Sequence, residues 1–370
     1  MKIPAFNLDR ATARLADELA GRWAAQVAAG AFFGGPEGDA FEREYADYLG
    51  AAGAVGVANG TDALVVALRA LDLEPGDEVI VPAFTFIATG SAVALAGGVP
   101  VFADVRADTL NLDPEDAAAR VTPRTAGVIG VHLFGRPYDT EAVGELCRRH
   151  GLFSIEDAAQ AQGARVGGRR VGSLGDLACW SFYPTKNLGA FGDAGAVSGG
   201  DPERLDRVRR IANHGRREHY HHTELGTNSR LDALQATVLR MRLARLDAAN
   251  DRRRAIAARY REALADAVRS GEVELPVDPE GTDPVYHQFT LLTGRRDALR
   301  EHLAGRGIGS GVYYPIPLHR QPALARFALA EPELPVSERA AETALSLPMF
   351  PELEDAEVAE VCEAIAGFFG

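Results

Sequence analysis

The stretch AVGVANGTDALVVALRALDLEPGDEVIVP, residues 54–82, decides the fold. It opens on a short apolar run (54–58) and turns at Asn59-Gly60-Thr61-Asp62. Apolar residues then recur at helical spacing (63–71), and a second apolar run (78–82) follows Pro75-Gly76. A short apolar run bounded by turn signals reads as a strand buried on both faces. A helix between two such strands is the crossover unit of a parallel sheet.

The alternation continues to about residue 200. Strand-like runs recur at 100–103, 127–132, 152–156, 177–182 and 194–198, with helical patterns at 86–96, 114–121 and 140–150. The seven runs predict an α/β domain: a mixed, mostly parallel sheet between helices, with ligands bound beyond the carboxyl ends of the strands. Residues 229–264 read as one long helical pattern leading to a smaller α+β portion. That portion has a strand (285–292), a helix (296–306), a proline-rich loop (312–322) and a terminal helix (354–369). The expected division is a large domain at 1–250, with an N-terminal arm, and a small C-terminal domain at 251–370. Residues 30–38 (GAFFGGPEG) read as a loop.

A net charge of −13 over 370 residues, with no basic stripe, argues against a nucleic-acid partner. Arg252, Arg253 and Arg254 read as one solvated helix face. Cys147, Cys179 and Cys362 have no metal or redox spacing and are expected to be reduced, mostly buried thiols. No run approaches the ~20 apolar residues of a membrane span, and the N-terminus lacks the apolar core of a signal peptide. A cytoplasmic protein with no membrane partner is expected.

Only two lysines occur: Lys2, at a terminus expected to be mobile, and Lys186, within Trp180-Ser-Phe-Tyr-Pro-Thr-Lys186-Asn-Leu-Gly. A GC-rich genome accounts for the general preference for arginine. Arginine stays protonated at any workable pH, whereas a lysine amine can lose its proton and attack a carbonyl. The one interior lysine therefore reads as a nucleophilic amine.

Three further signals fall just after strand-like runs. Gly60 and Thr61 open a helix and offer N–H groups to an anion, although capping by Asn59 or Thr61 has the same sequence signature. Asp157 ends a buried run, either as partner to a protonated ring nitrogen or as a helix cap. Phe86 is either core or a stacking surface for a planar ring. An anion cradle, a stacking aromatic, an acid and an amine at one sheet edge together meet the needs of pyridoxal 5′-phosphate.

With these motifs, the chain resembles the DegT/DnrJ/EryC1/StrS sugar aminotransferases of the fold-type-I pyridoxal-phosphate enzymes. The resemblance rests on Asn-Gly-Thr-Asp-Ala-Leu at 59–64, Glu-Asp-Ala-Ala-Gln at 156–160 and Ser-Phe-Tyr-Pro-Thr-Lys-Asn-Leu-Gly at 181–189. It rests also on Gly-Asp-Ala-Gly-Ala-Val at 192–197, Asn-Ser-Arg-Leu-Asp at 228–232 and Tyr-Tyr-Pro-Ile-Pro-Leu-His at 313–319. It implies that Lys186 bonds to the cofactor aldehyde, Asp157 pairs with the pyridine nitrogen, Gln160 bonds the phenolic oxygen and Phe86 stacks on the ring. Gly60, Thr61 and Ser181 hold the phosphate, joined by Asn228 from a second subunit of a homodimer. Tyr183, Arg230, Tyr313, Tyr314 and His319 match positions around the sugar and its nucleotide.

The resemblance implies ping-pong transfer of an amino group from glutamate, through the pyridoxamine 5′-phosphate form, to a nucleotide-linked keto sugar. The Ser229-Arg230-Leu231 form, with Tyr183 and the Tyr313-Tyr314 loop, looks more like the 3-keto enzymes acting on dTDP- or UDP-sugars. A 4-keto substrate and a cofactor-binding regulator without catalysis are the alternatives. His214, His219, His221 and His222 fit no standard zinc spacing, so no metal is expected. His287 reads equally well as a core residue or a substrate contact.

Overall fold

The computed structural model describes residues 1–13, 15–327 and 333–370. Seven strands form the central sheet: β1 (Gly53–Val57), β2 (Glu78–Pro82), β3 (Val99–Ala103), β4 (Thr125–Val131), β5 (Phe153–Asp157), β6 (Leu177–Ser181) and β7 (Gly195–Gly199). Their spatial order is β1-β7-β6-β5-β4-β2-β3. All neighbours pair in parallel except β7, which runs antiparallel to both β1 and β6. The parallel strands therefore deliver their carboxyl ends to one edge, and Asn59, Thr85, Asp157 and Ser181 stand there.

Two apolar layers sandwich the sheet. Alternation along β6 sends Leu177 and Cys179 into one and Ala178 and Trp180 into the other, joined by Phe182 just past the strand end. Trp180 and Phe182 meet Tyr45 edge-on at 5.3 Å, all three being fully buried. Such side chains each contribute about 1.5–3 kcal/mol by leaving water. Tyr45 comes from helix α1 (Gly35–Leu49), which has Pro36 in its first turn. The helix thus starts inside the segment read as a loop, because proline suits a first helical turn, where an N–H has no partner.

The long helical pattern is two helices, α4 (Ala233–Leu243) and α5 (Leu246–Ala263), with a turn between them; α2 (Gly60–Ala70) and α3 (Ile87–Ala96) precede them in the chain. Ala236 and Leu239 bury into the large-sheet core, whereas Ile256 and Tyr260 bury into a second, C-terminal core. One straight helix would not serve both. The second core also contains β8 (Phe289–Leu292), paired antiparallel with β9 (Ala344–Leu347), and helix α6 (Asp355–Phe369). The strand read at 285–292 is confined to its last four residues.

Two other expectations are corrected. The N-terminus is anchored: Ile3 is fully buried in the C-terminal core, and Lys2 Nζ pairs with Glu360 at 2.6 Å. The triplet 252–254 is not one solvated face either. Arg253 is 5% exposed, because α5 is clasped between the two cores and turns that side chain inward.

Candidate active site

A cavity of about 480 Å³ lies at the carboxyl edge of the sheet and is closed by residues of the C-terminal portion, including Tyr313, Tyr314 and Met349. Gly60, Thr61, Phe86, Asp157, Gln160, Ser181, Tyr183 and Lys186 all line it. The chain thus brings together ten of the residues singled out from sequence. Asn228, Arg230 and His319 lie elsewhere. Arg230 Nε donates to Asn228 Oδ1 at 3.1 Å, and the guanidinium lies over Phe33, on the exposed surface. His319 is buried and bonded to Glu338 at 3.0 Å.

Helix α2 begins at the cavity wall. Asn59 caps it by accepting from the Asp62 N–H at 2.8 Å, and the Ala63 N–H is taken by the Asn59 carbonyl at 3.0 Å. The Gly60 and Thr61 N–H groups make no hydrogen bond among the described residues, so the helix offers two free donors to the cavity. The capping reading therefore holds through Asn59, and it leaves the Gly60 and Thr61 N–H groups free. A Cβ on Gly60 would stand 2.6 Å from that of Ser181, so any side chain here would collide with β6 and spoil the cradle.

At the end of β5, Asp157 Oδ2 accepts from the Thr89 hydroxyl at 2.8 Å and Oδ1 from the Ala159 N–H at 3.2 Å. Burial pushes its pKa up against these bonds and against the charges of Lys186 and His132. This is a buried carboxylate short of a cationic partner, which a protonated ring nitrogen would supply. Neighbouring Glu156 faces the opposite way. It accepts from the N–H groups of Gly172, Leu174 and Gly175 and lies 3.0 Å from His132 Nε2. Burial alone would raise its pKa, but His132 and these donors outweigh it and hold the pKa below the ordinary range.

Lys186 sits in the turn after β6. Burial draws its amine pKa down to about 8, opposed by the negative charge of Asp157. A substantial fraction is thus neutral near physiological pH, as a nucleophile requires. Gln160 is fixed at both ends: its Oε1 accepts from the Phe134 N–H at 2.6 Å, and its Nε2 donates to the Tyr314 hydroxyl at 2.9 Å. Tyr314 also packs 5.8 Å from the half-exposed ring of Phe86.

Sequence reading missed Thr89, which bonds Asp157, and Phe6, which lines the cavity. Thr89 follows Thr85 by four positions in a largely apolar stretch, a signal that was available. Phe6, from the N-terminal arm, gave none. His287 lines the cavity, which settles that it faces the site. The hairpin of Arg216–Glu218 and His221–His222 is exposed, and among the described residues no cluster of potential metal ligands occurs.

A lysine of lowered pKa, a buried carboxylate and a free helix N-terminus at one sheet edge define a pyridoxal-phosphate-dependent fold-type-I enzyme. The profile of the DegT/DnrJ/EryC1/StrS aminotransferase family matches residues 15–366, and the chain belongs to that family. It is 48% identical over 364 residues to dTDP-3-amino-3,4,6-trideoxy-α-D-glucose transaminase of Streptomyces venezuelae, covering 98% of this chain and 95% of that one. It is 46% identical over 363 residues to UDP-N-acetyl-3-dehydro-α-D-glucosamine 3-aminotransferase of Acidithiobacillus ferrooxidans, covering 98% and 97%. The solved structure of S. venezuelae DesV in complex with a ketimine intermediate superposes with a TM-score of 0.95 at 47% identity, covering 99% and 98% of the two chains.

Proposed function

We propose that this aminotransferase transfers the amino group of glutamate to a 3-keto sugar carried on dTDP or UDP. Similarity to two enzymes whose names specify 3-amino or 3-dehydro sugars supports the position of the ketone. The observation that carries the chemistry is that Lys186 faces the same cavity as Asp157, Gln160 and the free N–H groups of Gly60 and Thr61.

The residues present fit pyridoxal 5′-phosphate. Gly60, Thr61 and Ser181 would hold the phosphate, Phe86 would cover the ring, Asp157 would meet its nitrogen and Gln160 its phenolic oxygen. When bound, the cofactor supplies an aldehyde carbon for the amine and an electron sink for the pair released at the substrate carbon. Lys186 Nζ would hold the cofactor through its aldehyde carbon and, once freed, would carry a proton from the amino-bearing carbon to that former aldehyde carbon. Asp157 would supply the charge that keeps the ring nitrogen protonated, with Thr89 donating to its Oδ2. Met349, Phe6 and Tyr313 add apolar wall to the cavity and would limit water there.

Asn228 and Arg230 lie at the surface rather than in this cavity, so we assign them to the cavity of a second copy in a homodimer. Tyr183 and Tyr313 would contact the sugar within the same chain. His319 enters only through the loop it anchors. We retain the division into 1–250 and 251–370, with the first residues crossing to the C-terminal core. The three free cysteines support a reducing, cytoplasmic setting; among the described residues, no helix is long and apolar enough to cross a membrane.

The test is incubation of the holoenzyme with glutamate and a panel of 3-keto and 4-keto dTDP- and UDP-sugars, followed by mass spectrometry. Amination of 3-keto sugars is expected. Amination of 4-keto sugars alone would overturn the assignment of position, and no amination with any member would overturn the substrate class.

A further inference from the structure

Behind the turn that carries Lys186 lies a second cavity, of about 460 Å³, that the transamination reading does not use. It shares Phe6, Thr185, Lys186 and Met349 with the reaction cavity but opens between the N-terminal arm and α5. Its charged lining is Lys186, Arg242, Arg245, Arg252 and Arg253, with Glu352 the one carboxylate among the described residues.

Much of the donor capacity of these arginines is unspent. Arg253 gives Nη1 to the carbonyls of Tyr286 and Met349 at 3.3 and 3.0 Å, yet its Nε is buried with no partner among the described residues. Arg242 gives Nη1 to the Gly189 carbonyl at 2.8 Å, while its Nη2 is likewise buried and unpartnered. The Arg245 side chain makes no hydrogen bond or ion pair among the described residues, its backbone alone being engaged, with Arg242 and Ala249. Only Arg252 is matched, by Asp355 at 2.9 Å. Burial depresses Arg253 to about 10 and lowers Arg242, with Glu352 opposing in both cases. Buried guanidinium groups that share one counter-charge are costly, and planar donors set around a cavity match an oxyanion.

We propose that this cavity is a binding site for a small oxyanion, either inorganic phosphate or a dicarboxylate, on the far side of the Lys186 turn from the cofactor and sugar sites. Arg242, Arg245 and Arg253 supply the donors, and Glu352 limits the affinity by repulsion.

The test uses holoenzyme titrated with sodium phosphate or sodium succinate, in separate arms, at constant ionic strength set with chloride. Thermal melting and calorimetry report binding to the folded state. Arg245→Gln removes an exposed side chain with no internal partner, so folding is unaffected, and it should weaken oxyanion binding at least tenfold. Glu352→Gln should tighten it severalfold, a change that a structural role would not produce. The active arm identifies the anion. Equal affinities in wild type and Arg245→Gln, or no saturable response to either anion, overturns the proposal.

Discussion

His287 and Asn187, a hundred residues apart in sequence, share a hydrogen bond of 3.2 Å between Nδ1 and Oδ1. The direction of that bond is fixed by its surroundings. Asn187 Nδ2 is committed to Asn250 Oδ1 at 2.9 Å and to the Val285 carbonyl at 3.0 Å, so only its oxygen faces the imidazole. His287 must therefore donate from Nδ1, which leaves Nε2 as an unprotonated acceptor.

Burial, with the charges of Lys186 and Arg253, keeps the His287 pKa well below its ordinary value. Nitrogen NMR should find one neutral tautomer at pH 6.5, where a free imidazole is about half protonated, and an imidazolium signal there would refute this. The depressed pKa means the unfolded chain takes up a proton first. Stability contributed above about pH 6.5 is then lost as the pH falls below it.

Lys186→Ala should abolish turnover while leaving the fold intact, as checked by circular dichroism alongside the amination assay. In the cofactor-free protein, recombination with pyridoxal phosphate should accelerate as pH rises through about 8, where the amine loses its proton. A rate that increases only near pH 10 would show an unperturbed amine. The same shift makes stability rise with pH between about 8 and 10.5, because over that window only the unfolded chain carries the proton.

Asp157→Asn should lower kcat by roughly 10²–10³-fold, the scale of losing one preorganised electrostatic group. Thr89→Val keeps the shape but removes the donor to Asp157 Oδ2. A hydrogen bond to a charged group contributes about 1.5–3 kcal/mol, so a loss of roughly tenfold or more in kcat is expected. If Thr89→Val is silent, Asp157 does not depend on that bond.

Glu156→Gln should destabilise the protein by about 3–5 kcal/mol in chemical denaturation, since His132 and three backbone donors lose their charged partner. The carboxyl pKa is depressed in the fold, so its contribution is present above pH 4.5 and fades as acid protonates it. The variant should therefore have a flatter acid limb than the wild type, and parallel limbs would contradict the assignment.

A shared site in a homodimer predicts complementation. Lys186→Ala and Asn228→Ala should each be inactive alone. Mixed and allowed to reassort at random, they should recover about a quarter of wild-type activity, because half the dimers would each carry one intact site. No recovery despite verified exchange would confine the site to one chain.

Much of the chemistry was legible because each signal was local. Asn59-Gly60-Thr61 follows a strand and opens a helix, Asp157 closes a buried run, and the single interior lysine needed only a count. Those patterns depend on backbone geometry and residue chemistry within a few positions. The break at Ala244–Arg245 carried no glycine or proline, so it was invisible: the change of core that causes it is a property of packing.

By itself, the sequence determined the alternating sheet and the cofactor class and singled out Lys186 as the candidate amine, since strand period, helix capping and acid–base character are written in short segments. Only the tertiary structure decided that Arg253 turns inward, that Ile3 belongs to the C-terminal core, and that His287 lines the cavity with its Nδ1 tied to Asn187. Each of these is set by groups far apart in the chain whose burial and hydrogen bonds exist only once both cores have closed.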